Sequence, residues 1–173
     1  GADFSLLNGK INGSIDYFNR DTKDLLFPRD AADPVTPNGA IQWSNIDGDV
    51  INKGFEISLN GDVVKKKDLT WNLGVNASFL NNTLKNFVGE IPTGEVNGQG
   101  LSGAFAQLIK SGYPLNTFYL KNFIGIDKTT GISLYQDGEA KFFMGSANPK
   151  VLLGVSTSVN YKKFSLDMNF NGA

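Results

Sequence analysis

Between residues 68 and 80 every second position is apolar: Leu69, Trp71, Leu73, Val75, Ala77 and Phe79 alternate with Thr70, Asn72, Gly74, Asn76 and Ser78. A period of two belongs to the β-strand, whose successive side chains point to opposite faces. A helix would scatter these six apolar residues around its circumference, so the run specifies a strand with one greasy face and one wet face. The rhythm recurs at Phe55, Ile57 and Leu59, at Leu153, Val155, Thr157, Val159 and Tyr161, and at Phe164, Leu166, Met168 and Phe170. Near the start, Phe4 and Leu6 and then Ile11, Ile15 and Tyr17 continue it on either side of Asn8-Gly9, a two-residue hairpin signal. Six long strands result.

The connections between these strands alternate in length. Short turns are expected at Asn8-Gly9, at 63–67 and at Lys162-Lys163, whereas long Gly-, Pro- and Asn-rich segments occupy about 21–49 and 81–150. Short turns at one end and long loops at the other are the pattern of an outer-membrane barrel. Two long loops would be unusual in a soluble sandwich. Within the second loop, 118–126 and 132–135 flank Asp127-Lys128-Thr129-Thr130-Gly131, which predicts a hairpin standing above the membrane. Ahead of it, 102–110, with Ala104, Phe105, Leu108 and Ile109, is a candidate for one short helix stopped at Gly112 and Pro114.

Composition removes most chemistry. The 173 residues contain no cysteine and no histidine, which excludes disulfides, imidazole zinc sites and Ser-His or Cys-His nucleophile pairs. Sixteen Lys and Arg against 17 Asp and Glu leave a net charge of −1, a poor match to nucleic acid. Twenty glycines and 13 phenylalanines suit a β-rich chain. Residues 1–5 do not read as a signal peptide, and no apolar run is long enough for a membrane helix, although alternating strands escape such a scan.

The two faces differ in charge as well as in polarity. None of the apolar-face positions named above carries a charge, whereas Asp16, Glu56 and Asp167 fall on the opposite face among Asn, Ser and Gly. Charge on the lipid side of a barrel costs about 2–4 kcal/mol at mid-membrane, so exclusion is what a lipid-facing surface predicts. Trp71, Tyr161 and Phe164 stand near the short turns, where an aromatic girdle would meet the interface. The same alternation also describes one-sided sheets in a soluble surface β-sandwich that binds carbohydrate or protein.

Other motifs carry little. Residues 98–103 spell GxGxxG, but neither a convincing preceding strand nor an acid about 20 residues on supports dinucleotide binding. Residues 127–131 lack the alternating acids of a calcium loop and read as a plain turn. The carboxylates read as solvated lumen charges, and Lys65-Lys66-Lys67 as a solvated turn. Aromatics of the long loops, Trp43, Phe105, Tyr113, Phe118, Tyr119 and Tyr135 above all, are candidates for contacting a ligand or a lid protein, since loops carry function on rigid scaffolds. No residue is assigned to catalysis, to a metal or to a cofactor.

An ordered set of motifs resembles the late barrel region of SusC/RagA-like TonB-dependent transporters. It opens with Gly1-Ala2-Asp3-Phe4-Ser5-Leu6-Leu7-Asn8-Gly9-Lys10-Ile11 and continues with Asn52-Lys53-Gly54-Phe55-Glu56 and Leu69-Thr70-Trp71-Asn72. Then come Gly112-Tyr113-Pro114-Leu115-Asn116-Thr117-Phe118-Tyr119, Gly125-Ile126-Asp127 and Asn148-Pro149-Lys150. The resemblance implies a place in the bacterial outer membrane, within a large barrel fitted with a plug. It also implies import of oligosaccharides or peptides driven by the TonB complex, beneath a SusD-like surface lipoprotein. The plug and the TonB-contacting segment have no counterpart here. The expectation is therefore one partial domain, all-β and antiparallel, an up-and-down meander forming part of a transmembrane barrel wall.

Overall fold

The computed structural model describes residues 1–30, 41–98 and 101–173. Among the described residues fourteen strands follow one another: β1 (Ala2–Leu6), β2 (Ile11–Thr22), β3 (Leu25–Asp30), β4 (Ile41–Ile46), β5 (Asp49–Lys66), β6 (Leu69–Lys85) and β7 (Glu90–Gly98), then β8 (Leu101–Lys110), β9 (Thr117–Lys121), β10 (Phe123–Ile126), β11 (Ser133–Tyr135), β12 (Lys141–Ser146), β13 (Val151–Tyr161) and β14 (Phe164–Gly172). The chain divides into two compact units, one of Gly1–Arg20, Asn52–Asn81 and Pro149–Ala173, the other of Asp21–Ile51 and Asn82–Asn148.

Each expected long strand is present, and together they make one antiparallel sheet in the order β1-β2-β5-β6-β13-β14. Chain neighbours among the long strands are sheet neighbours, which is the meander predicted from the alternating connections. The short turns lie side by side, the Asp62 amide donating to the Lys10 carbonyl and the Lys162 amide to the Asp68 carbonyl. Two turns differ in detail from expectation. The first is a four-residue loop closed by Leu6 opposite Ile11, because Leu7, Asn8 and Gly9 all take left-handed backbone. The second turns on Lys67-Asp68, with strand continuing through Lys66.

The second unit holds a four-stranded sheet, β12-β9-β8-β7, and the two-stranded pairs β3-β4 and β10-β11. Its core is Val50, Leu84, Phe87 and Ile109, with Leu25, Phe27, Ile91 and Leu115 packed against them. The short helix expected over 102–110 is overturned: these residues belong to β8, an interior strand between β7 and β9. Adjacent apolar residues fill both faces of such a strand, Leu108 and Ile109 being both buried, and in a short run helix and buried strand look alike. The glycine-rich motif shares this outcome. Gln99 and Gly100 lie outside the described residues, but Gly98 and Leu101 face one another as antiparallel partners, and a strand rather than a helix begins at Leu101.

The predicted hairpin around residues 127–131 is present as β10-β11, but 118–126 is two strands and not one. The break falls at Asn122, whose carbonyl accepts the Gln136 amide and whose side-chain amide donates to Gln136 Oε1 at 2.8 Å, so that β9 pairs with β12 and β10 with β11. In the turn, Asp127 Oδ1 accepts the amides of Thr129 at 2.7 Å and Thr130 at 3.0 Å. These hydrogen bonds favour the charged form and hold the carboxyl below the usual carboxylate range. A depressed folded-state value contributes stability above the unfolded value of 3.8 and loses it as pH falls through the folded one. Asp127→Ala is therefore expected to speed amide exchange at Thr129 and Thr130 at neutral pH, with wild type and variant converging in strong acid. Equal exchange at pH 7 would show that the carboxylate does not hold the turn.

Candidate functional site

The six-stranded sheet has two unlike faces, and register makes each of them continuous. Across β6, β13 and β14 the apolar positions stand opposite one another: Val75, Val155 and Phe170 in one row, Trp71, Val159 and Leu166 in another. The intervening rows are polar, Asn76 with Gly154 and Asn171, then Asn72 with Ser158 and Asp167. The apolar face is left open: Phe55 is 51% exposed, Phe79 45%, Tyr161 49%, Phe170 59% and Phe164 78%. A soluble sandwich would bury this surface.

Two polar side chains on that face satisfy one another. The Trp71 indole donates to Thr157 Oγ1 at 2.8 Å, and the Thr157 hydroxyl passes its own hydrogen to the Asn72 carbonyl at 3.2 Å. The face also has a defined height. Along β5, Lys53 and Lys65 bracket Phe55, Ile57, Leu59, Gly61 and Val63; along β6, apolar positions run from Leu69 to Phe79 before Asn81, Thr83 and Lys85 continue the same alternation. A strand of about 9–11 residues spans hydrocarbon.

Glycines shape the polar face. A Cβ at Gly74 would stand 2.5 Å from Ser156 Oγ and 2.6 Å from Asn60 Oδ1, so both side chains converge above it. They line a hollow of about 420 Å³ with Asn72, Ser158, Asp167 and Asn169, and Asp62 accepts a hydrogen bond from the Asn72 amide while pairing with Lys65 at 3.2 Å. Asp16, Glu56 and Asp167 all belong to this face, as their parity in the sequence predicts. This convergence is new relative to the sequence reading. Its signal was the density of Asn, Ser and Gly at alternate positions, but which of them meet depends on register. Phe18 was also missed: its ring lies over Gly54, within 2.8 Å of where a Cβ would be.

The six loop aromatics all lie in the second unit, in different roles. Tyr113 stacks on Phe143 with ring centroids 3.7 Å apart, and Tyr119, the direct cross-strand partner of Phe143, tilts against it at 4.7 Å. Tyr135 meets Phe123 edge-on at 6.0 Å and carries Lys121 Nζ 5.5 Å from its centroid. Phe118 is half-buried on β9 opposite Gln107. Trp43 on β4 and Phe105 on β8 are exposed, at 65% and 40%. Tyr113 and Tyr119 are thus brought together through Phe143, while Trp43 and Phe105 are the most open of the six to an outside molecule.

Comparisons with known proteins agree with this geometry. The sequence model of the family described as TonB dependent receptor-like, beta-barrel, matches residues 1–171. The chain is 27% identical over its whole length to the TonB-dependent receptor SusC of Bacteroides thetaiotaomicron, covering 18% of that protein. It is also 27% identical to the TonB-dependent receptor P3 of Formosa agariphila, covering 19%. The fold is similar to that of the RagAB peptide transporter, with a TM-score of 0.78 at 23% identity over 98% of this chain and 20% of that one. The RagAB peptide importer in its closed-closed state gives 0.73 at 24% identity over the same shares. The chain spans about a fifth of the length of these relatives.

Proposed function

This chain belongs to the TonB-dependent receptor-like β-barrel family, whose members are outer-membrane barrels, and we propose that it forms part of the wall of a nutrient importer for oligosaccharides or peptides. The observation that carries this reading is the six-stranded sheet itself, apolar and exposed on one side and lined with Asn, Ser, Gly and carboxylates on the other. In hydrocarbon every backbone group must be paired, which strands achieve only in a closed ladder. The wall presents lipid with the first face and a wet passage with the second. The mechanism is passive here: these residues hold the passage open and polar, while other parts of the full protein gate it and draw energy from the TonB complex.

A lipoprotein lid of the SusD type is the proposed partner, approached by the long connections between strands. Trp43 and Phe105 are its best candidate contacts, or those of the ligand, because they are the most exposed of the six loop aromatics. In cells, the full-length protein is expected to fractionate with the outer membrane, and a peptide tag inserted at Lys128 is expected to be reached by antibody without permeabilisation. Deleting the gene should abolish uptake of one class of oligosaccharide or peptide. Recovery of the full-length protein in the soluble fraction would remove the basis for this function.

A further inference from the structure

One aromatic ring breaks the two-faced rule. Along β2 the residues sharing the polar face are Asn12, Ser14, Asp16, Phe18 and Arg20, and Phe18 is the only aromatic on that face of the six strands among the described residues. Its ring covers Gly54 of β5 and lines a hollow of about 510 Å³ together with Asn19, Arg20, Asn52 and Glu56. A large apolar group set in a wet wall departs from the local pattern, and such departures concentrate at functional positions.

The surroundings narrow what the ring is for. One guanidinium and one carboxylate flank it, so the hollow carries no net charge and favours neither an anion nor a cation. An apolar ligand would strand both charges without partners. A pyranose ring satisfies both: its C–H face lies on the aromatic face, its hydroxyl hydrogens go to the Glu56 carboxylate, and its oxygens accept from Arg20. Resting on the importer reading, we propose that Phe18 is a stacking subsite on the passage wall for a sugar ring of a neutral oligosaccharide, with Arg20 and Glu56 as its hydrogen-bonding rim.

Covering a strand glycine with a cross-strand aromatic is also a packing device. The test must therefore separate packing from recognition. Full-length protein, purified in detergent, is equilibrated with a pool of neutral oligosaccharides and with a tryptic peptide digest, and retained molecules are identified by mass spectrometry. Wild type is expected to retain oligosaccharides. Phe18→Leu keeps apolar cover over Gly54 and is expected to leave the melting temperature near that of wild type while lowering retention about tenfold. Phe18→Trp should preserve retention, and Glu56→Gln should weaken it without loss of fold.

Should Phe18→Leu not fold, the Phe18→Trp and Glu56→Gln pair still decides. Retention unchanged in Phe18→Leu and Glu56→Gln overturns the subsite, as does retention of peptides alone or of neither pool by wild type. Failure of the importer reading looks different: the full-length protein is then absent from the outer membrane, whatever it retains.

Discussion

Arginine in place of Val75 is expected to destabilise the full-length barrel by about 2–4 kcal/mol, the penalty for a cation facing mid-membrane lipid. Val75 stands opposite Val155, which stands opposite Phe170, so the guanidinium would enter the middle of a three-strand apolar row. The adjacent Asn76→Arg is the control. Asn76 faces Gly154 on the polar side, where a charged side chain finds water, and its cost is expected to stay below about 1 kcal/mol. Urea unfolding of both variants in lipid bilayers measures the difference. Equal costs would mean that the two faces do not see different solvents, and the membrane reading of this sheet would fail.

A comparable loss is expected from a single methyl group at Gly54. Its Cβ would lie 2.2 Å from the Phe79 carbonyl oxygen of the neighbouring strand and 2.8 Å from the Phe18 ring. A side chain can swing aside, but a carbonyl in a sheet moves only with its strand, so Gly54→Ala is expected to cost about 3 kcal/mol. Gly172→Ala, where a Cβ meets nothing within 4 Å, is the neutral comparison. Adding Phe18→Ala to Gly54→Ala should recover only part of the loss, since the carbonyl contact remains. Full recovery would show that the ring alone makes the clash. Melting of the full-length protein, read by its heat-dependent shift on gels, resolves these variants.

These expectations differ in how far the sequence foretold them. The wall was legible because alternation is a local property: Leu69 to Phe79 announce a two-faced strand without help from any partner, and short turns force neighbours to pair. Leu108 and Ile109 show where that ends, because two adjacent apolar residues suit a helix or a buried strand equally until β7 and β9 are in place. The same holds for the aromatics. Tyr113 and Tyr119 looked available, yet both pack on Phe143, which lies more than 20 residues away in sequence and becomes their neighbour only through the β9-β12 pairing. Phe18 stood out in no local pattern, because its seat over Gly54 exists only once β2 and β5 are paired.

The bracketed height of the apolar band has a consequence for the bilayer. A lone helix meets a membrane of the wrong thickness by tilting, at little cost. Strands locked to their neighbours by a fixed register, as Leu69 is to Tyr161 and Phe79 to Val151, cannot tilt one at a time. With lysines at both margins of β5, sliding the band vertically would drag a charge into oil. Lipid must then do the adjusting, stretching or compressing its chains around this stretch of wall.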